Sequence, residues 1–341
     1  MFTHRQLSWI RVNRKKRTLL KNLTMFTVFF LILMVYSGKG VHVERNGSHV
    51  HVGVGTVHTD GREVHFSTSE GWTERLRGPL EAEDPRVVSA LRDHHLQLPS
   101  NNPYTLDTYT NRLNYKDMDS WKFLHERLVR LMAHRPPGFF IEAGALDGQY
   151  LSNTLHLEKV YGWRGLLVEA NPSAYKQLLK KNRRAWSSNT CLAITPYPKE
   201  MVLEMLDTHE ETETSQALWV IRGSSFLTEA GGADQQYQAN RYETTFAVVQ
   251  CFPLITYLRA LNVTKVDLLS LDVEGAERMI LDTVPWDSLD ISVLLVEHHG
   301  DVKGKDLKFI KSIEDRGYEL FDYQIDKDNI GDYIFVKRGF V

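Results

Sequence analysis

Hydrophobic and polar positions change rhythm at Pro136-Pro137. Beyond that break, short apolar runs alternate with segments of helical spacing. The runs "GFFIEAG", "RGLLVEA", "TCLAIT", "KVDLLSLD" and "SVLLVEH" lack polar alternation, the pattern of strands buried on both faces of a parallel sheet. Between and after them, Ser173–Arg184, Pro253–Leu261, Ala276–Thr283 and Lys305–Asp315 predict helices. "GYELFDYQ" and "GDYIFVKRG" predict two closing strands near enough to form a hairpin-like end. The alternation predicts an α/β, doubly wound, mostly parallel sheet. Residues 207–244 break the rhythm and predict an insertion that lines or covers a site.

Upstream, "WKFLHERLVRLMAH" predicts a helix from Trp121, where the folded domain (121–341) is expected to begin. Residues 67–120 are polar and predict one short helix between proline boundaries. His94 and His95 there read as surface residues. Residues 40–66 set five histidines among glycines and valines, and their alternation predicts short strands or an extended stem, so 39–120 reads as a stem.

Between Lys21 and Lys39 lie 17 uncharged residues, 22–38. As a helix they reach roughly 25 Å, enough for a thin bilayer. A membrane anchor is therefore expected to precede the domain, with a cleaved signal or a buried helix as the alternatives. Residues 1–21 hold seven Lys and Arg and no acid, which places this tail on the cytosolic side of a single-pass, type II arrangement.

The 341-residue chain has a formal charge of −2, but without the basic tail it carries 34 Lys and Arg against 43 Asp and Glu. An acidic body argues against nucleic acid as a partner. Its two cysteines, Cys191 and Cys251, permit one disulfide or two buried thiols. Asn46 and Asn262 head glycosylation acceptor triplets. No Cys/His zinc spacing occurs, and no metal is expected.

The chemistry lies where acids end the predicted strands. In "FFIEAGALDGQYLSNTL", Glu142 and Gly144 close the first strand, with Asp147 and Gly148 just beyond. Open α/β sheets bind ligands at the carboxyl ends of their strands, and glycines in such a loop admit close backbone approach. The pattern is not GxGxxG, so a dinucleotide is disfavoured. Glu169, 27 residues after Glu142, can accept hydrogen bonds from a ribose diol. Asp272 and Glu274 in "DVEGAE" close a later strand over the same crevice. Together these acids and glycines suit S-adenosylmethionine, whose binding requires no phosphate cradle. For transfer to a hydroxyl, Asp272, Glu274 and His298 are candidate bases, with His299 beside them. Both histidines also read as turn residues, and Glu297 as an inward acid. Ser224 and Ser225 can orient a polar acceptor or serve the loop alone.

"FIEAGALDGQYLSNTL", "GLLVEANPSAYKQL" and "VDLLSLDVEGAE" resemble the FkbM-type methyltransferase domain, with its D-x-E-G-x-E step, over roughly residues 137–337. With the tail, the anchor and the stem "EDPRVVSALRDHHLQLPSNNPY", the chain is similar to the Star proteins of animals over about 80–337. The first resemblance implies a methyltransferase-like domain that uses S-adenosylmethionine, with an oxygen acceptor such as a glycan hydroxyl. The second implies an escort that moves membrane-tethered growth-factor precursors from the endoplasmic reticulum through Golgi and endosomal membranes. The bulk of the chain is then luminal and its partner a membrane cargo protein.

Overall fold

The computed structural model describes residues 41–45, 48–52, 56–59, 62–65, 79–108, 119–207, 223–230, 243–299, 304–326 and 330–340. The expected anchor (22–38) and the Asn46 triplet's first two residues lie outside them. Among the described residues no helix is long and apolar enough to cross a membrane. The chain divides into two units, 1–78 and 79–341. In the first, β1 (Val41–Arg45) pairs antiparallel with β2 (Ser48–Val52), and β3 (Thr56–Thr59) with β4 (Arg62–His65). The alternating stem sequence thus folds as two short hairpins.

The second unit opens with α1 (Pro85–Ala90), capped by the Asp84 carboxylate on the Arg86 amide, a π turn, and β5 (Leu96–Gln97). Then α2 (Asp119–Met132) leads into β6 (Phe139–Ala143), α3 (Leu155–Tyr161), β7 (Arg164–Val168), α4 (Pro172–Lys180), β8 (Trp186–Ser188) and β9 (Cys191–Leu192). The expected insertion (207–244) is flanked by β10 (Lys199–Asp207) and β12 (Glu243–Phe252) and contains β11 (Phe226–Leu227). The chain continues through α5 (Leu254–Leu261), β13 (Lys265–Leu271), α6 (Glu277–Thr283), β14 (Asp290–His299), α7 (Leu307–Glu314), β15 (Tyr318–Ile325) and β16 (Ile330–Lys337).

Eight strands form the main sheet in the order β15-β16-β14-β13-β6-β7-β8-β5. From β14 to β8 every neighbour is parallel, while β16 runs antiparallel to both β14 and β15. Strand order reverses between β6 and β13, which makes their carboxyl ends the topological switch point. Both faces are buried, as the unbroken apolar runs require. Ile141, Leu166 and Leu269 pack toward α1, α5, α6 and α7. Phe140, Leu167 and Leu268 pack toward α2, α3 and α4.

A second sheet, β11-β10-β12-β9, carries the insertion. It takes up "TCLAIT", whose Cys191 and Leu192 pair with the end of β12. The place beside β7 belongs to β8, a short strand with two serines that no apolar run announces. The helix expected to reach Arg184 stops at Lys180, because Asn182 adopts a left-handed φ of 54°. Cys191 and Cys251 form a disulfide with Cα atoms 4.3 Å apart, which selects one of the two states their count allowed.

Candidate functional site

A crevice of about 390 Å3 opens at the switch point, walled by the ends of β6, β7 and β13 and by insertion residues Gly223–Ser225 and Leu227. Three residues on its wall, Leu146, Leu151 and Glu274, have left-handed φ of 50°, 55° and 57°. Each such residue costs about 1–3 kcal/mol, and strain of this kind concentrates where loops are shaped for a ligand.

Glu142 is buried at the end of β6, on the crevice wall, and most of its acceptor capacity is taken up by the protein. It accepts from the Ser152 hydroxyl (2.9 Å), the Asn153 amide (2.8 Å) and the Thr154 hydroxyl (2.5 Å). Burial raises its pKa against the pull of Arg183 and these donors. Its work is to hold the loop into α3. Arg183 grips the same loop from behind, donating to Gly148 O, the Ser152 hydroxyl (3.3 Å) and the Thr154 hydroxyl (3.1 Å), with its charge met by buried Glu158 at 3.0 Å.

Gly144 lines the crevice, yet its missing Cβ serves the protein. A Cβ there would lie 1.7 Å from the Asp272 carbonyl oxygen. At Gly148 the Cβ position meets the Leu178 side chain at 3.1 Å. The missing Cβ atoms thus permit backbone contact at Gly144 and helix packing at Gly148, and Gly144 stays on the crevice wall. Asp147 is buried off the crevice wall, accepting from the Gln149 (2.9 Å) and Tyr150 (2.7 Å) amides and pairing with Lys181 at 3.2 Å.

Glu169 faces the crevice from the end of β7. One carboxyl oxygen accepts from the Leu146 amide and the other from the Asn171 amide, both at 2.7 Å. Each oxygen has a second lone pair, the capacity a ribose diol needs. Burial pushes its pKa up to about 7, opposed by those two amides and aided by Asp147. Asn171 caps α4 through the Ser173 and Ala174 amides, with Pro172 behind it, and donates to Ser225 at 3.1 Å. The insertion is thereby tied to the crevice wall at the end of β7.

Across the crevice, carboxylate oxygens of Asp272, Glu274 and Glu297 lie within 4.8 Å of one another. Asp272 is open to the crevice, while protein surrounds it on its other sides. Desolvation raises all three carboxyls, and their mutual repulsion raises them further. Asp272 and Glu297 interact directly, and burial holds both carboxyls well above the usual carboxylate range. Asp332, opposite Glu297 in the β14–β16 ladder, is pushed up to about 7 by burial and Asp326. The trio is spaced to share a proton or to hold a cation, a grouping that a search for Cys/His spacing overlooks. The last acid of "DVEGAE", Glu277, is buried and accepts from the Val273 (2.8 Å) and Gly275 (3.1 Å) amides, fixing the turn that presents Glu274.

His298 points away from this group. Its Nε2 lies 3.0 Å from Asp306, and its ring stacks on Phe309 at 4.0 Å. Asp306 also caps α7 through the Lys308 and Phe309 amides, so His298 anchors that cap outside the crevice. Glu297, one residue earlier, takes the crevice position instead. Only the alternation along β14 separates the two, and the apolar run before them does not reveal which faces in. Asn262 caps α5 with φ 54° and is exposed.

A parallel sheet reversing at a glycine loop, with Glu169 and further acids around one crevice at the switch point, defines a methyltransferase-type α/β domain. Residues 142–320 match the methyltransferase FkbM domain, and the chain belongs to that family. No curated protein matches it in sequence. Among solved structures it is similar to a magnesium protoporphyrin IX methyltransferase from Synechocystis PCC 6803 with bound SAM. That likeness has 13% identity and a TM-score of 0.36, over 68% of this chain and 86% of the other. It is also similar to a putative RNA methyltransferase from Pyrococcus horikoshii, at 10% identity and TM-score 0.32, over 80% and 99% of the two chains. For the N-terminal domain of human METTL16 with SAH the values are 11%, 0.29, 83% and 88%.

Proposed function

We propose that this chain is an S-adenosylmethionine-dependent methyltransferase that acts on a hydroxyl oxygen. The observation that carries the reading is the opposition of Glu169 and the Asp272–Glu274–Glu297 group across one crevice. Glu169 keeps a lone pair on each oxygen for ribose hydroxyls. The acids opposite provide the negative field that a sulfonium and an ammonium favour. When bound, the cofactor supplies a methyl group on a positively charged sulfur. The chain's own residues do the rest. Glu169 orients the ribose, Ser224 and Ser225 on the crevice wall face the acceptor, and a carboxylate of the trio, in its ionised form, takes the hydroxyl proton as the oxygen–carbon bond forms.

Calorimetric titration of the full-length chain with S-adenosylmethionine, beside Glu169→Ala, tests this. Saturable binding weakened in the variant supports the reading. No binding by well-folded protein overturns it.

A second reading concerns place. The Cys191–Cys251 bridge belongs to oxidising compartments and supports a luminal domain on a type II membrane anchor, in the endoplasmic reticulum, Golgi or endosomes. A Star-like escort of membrane cargo follows from the sequence resemblance and is compatible with catalysis. Glycan mapping at Asn262 in the secretory pathway tests the placement, and cargo export in Glu169→Ala cells separates escort from catalysis.

A further inference from the structure

A second cavity, of about 490 Å3, lies beside the crevice and falls within the roughly 300–1,000 Å3 of small-molecule sites. Its walls are the first turns of α2, with Trp121 and His125, and the start of α3, with His156 and Lys159. Both helix starts stand at the carboxyl-end rim of the sheet, because α2 descends to the beginning of β6 and α3 departs from its end. Ser152 lines both cavities, so only the loop held by Glu142 and Arg183 divides them.

The walls have two chemical characters. The first is flat and aromatic. Trp121 stacks on His125 with centroids 4.6 Å apart and planes 12° apart, and His125 meets His156 edge-on at 4.5 Å. The second is cationic. Asp107, the one acid on these walls, is committed to Lys181, and its backbone exchanges two hydrogen bonds with the Gln149 amide, at 2.8 and 3.0 Å. Lys159 is exposed, and among the described residues no ion pair involves it; its ammonium stands 5.8 Å from the Tyr104 ring centroid. Aromatic faces hold ring faces, and an ammonium with imidazoles nearby holds an anion.

We propose that this cavity binds a ring that lays one face on the aromatic wall and bears an anionic group, next to the cofactor crevice and without entering it. An acidic sugar and a nucleoside phosphate share that chemistry. The proposal goes beyond methyl transfer and stands without it.

The test uses the full-length chain in detergent, titrated by calorimetry with a uronate-bearing chondroitin disaccharide and with adenosine monophosphate. Lactose and adenosine are the uncharged counterparts. One of the anions is expected to bind, and which one names the source. Lys159→Met, at an exposed position, is expected to melt like wild type and to weaken that binding about tenfold. Trp121→Ala weakens it as well, while Glu169→Ala leaves it unchanged. The proposal is overturned if neither anion binds at millimolar concentration, or if the uncharged counterpart binds as tightly. It also fails if Lys159→Met has no effect, or if binding is lost in Glu169→Ala, which would move the ligand into the crevice.

Discussion

Gly144 and Asp272 are in backbone contact: a Cβ on the first would stand 1.7 Å from the carbonyl oxygen of the second. The Asp272 amide also donates to Ala143 O at 3.1 Å. The two loops that frame the crevice are thus one structure. Gly144→Ala puts a methyl into that oxygen and forces an alanine to φ near 82°. A loss of about 3 kcal/mol or more is expected in denaturant unfolding, on the scale of strained backbone changes. Unfolding at the wild-type midpoint would contradict the contact.

Glu169 makes cofactor binding depend on pH. With its carboxyl at about 7 in the folded chain and near 4.5 when unfolded, the folded state binds the extra proton between those values. The carboxyl's contribution to stability is full below about 4.5 and is lost as pH rises through 7. Glu169→Gln should therefore gain stability relative to wild type above pH 7. Cofactor affinity should move the opposite way in wild type, rising with pH through 7 as the carboxylate forms, and stay flat in the variant. A flat wild-type profile would remove Glu169 from the ribose.

Arg183 and Glu158 form an ion pair whose side chains are 2% and 0% exposed. Glu158→Gln leaves a buried guanidinium uncompensated, at a cost of about 3–5 kcal/mol. Because Arg183 also holds Gly148 O, Ser152 and Thr154, cofactor affinity should fall although Glu158 lies off the crevice wall. Thermal melting and a cofactor titration of the same sample check both effects.

The Cys191–Cys251 bridge spans 60 residues. In the chain-entropy model a loop of that size contributes about 4 kcal/mol. Cys191→Ser with Cys251→Ser should lower the unfolding free energy by that order. A reducing agent should reproduce the loss in wild type and do nothing further to the variant.

His298→Ala should lower stability through the lost Asp306 bond and Phe309 stacking, by about 1–3 kcal/mol. Cofactor affinity should remain at the wild-type value. A tenfold weaker affinity in a folded variant would bring His298 back to the site.

Strand identity was legible wherever burial was two-sided. Phe140 to Ala143 and Leu268 to Leu271 bury consecutive residues, so their apolar runs state both element and depth. What pairs with what was not. Cys191 and Leu192 are as apolar as any core strand yet leave the main sheet, because parallel partnership depends on distant chain that an apolar run cannot name. The acids at strand ends were legible as a set, but not their division of labour. Glu142 spends its oxygens on donors 10 to 12 residues away and Glu277 on amides two and four residues back, while Glu297 turns into the crevice beside a neighbouring strand. The glycine spacing signalled a crowded loop correctly. The crowding partner is the chain itself.

The chain between Cys191 and Cys251, which carries the expected insertion, leaves and returns at residues whose Cα atoms are 4.3 Å apart. Met201, Leu203, Leu227 and Val249 from it join the core of the parallel sheet, and Ser225 accepts from Asn171 at 3.1 Å. The bridge holds the two ends of that segment together, so a change of length between them acts first on the wall that carries Ser224 and Ser225. The crevice is thereby a seam between two parts of the fold: strand ends that place Glu169 and Asp272, and a bridged segment that closes over them.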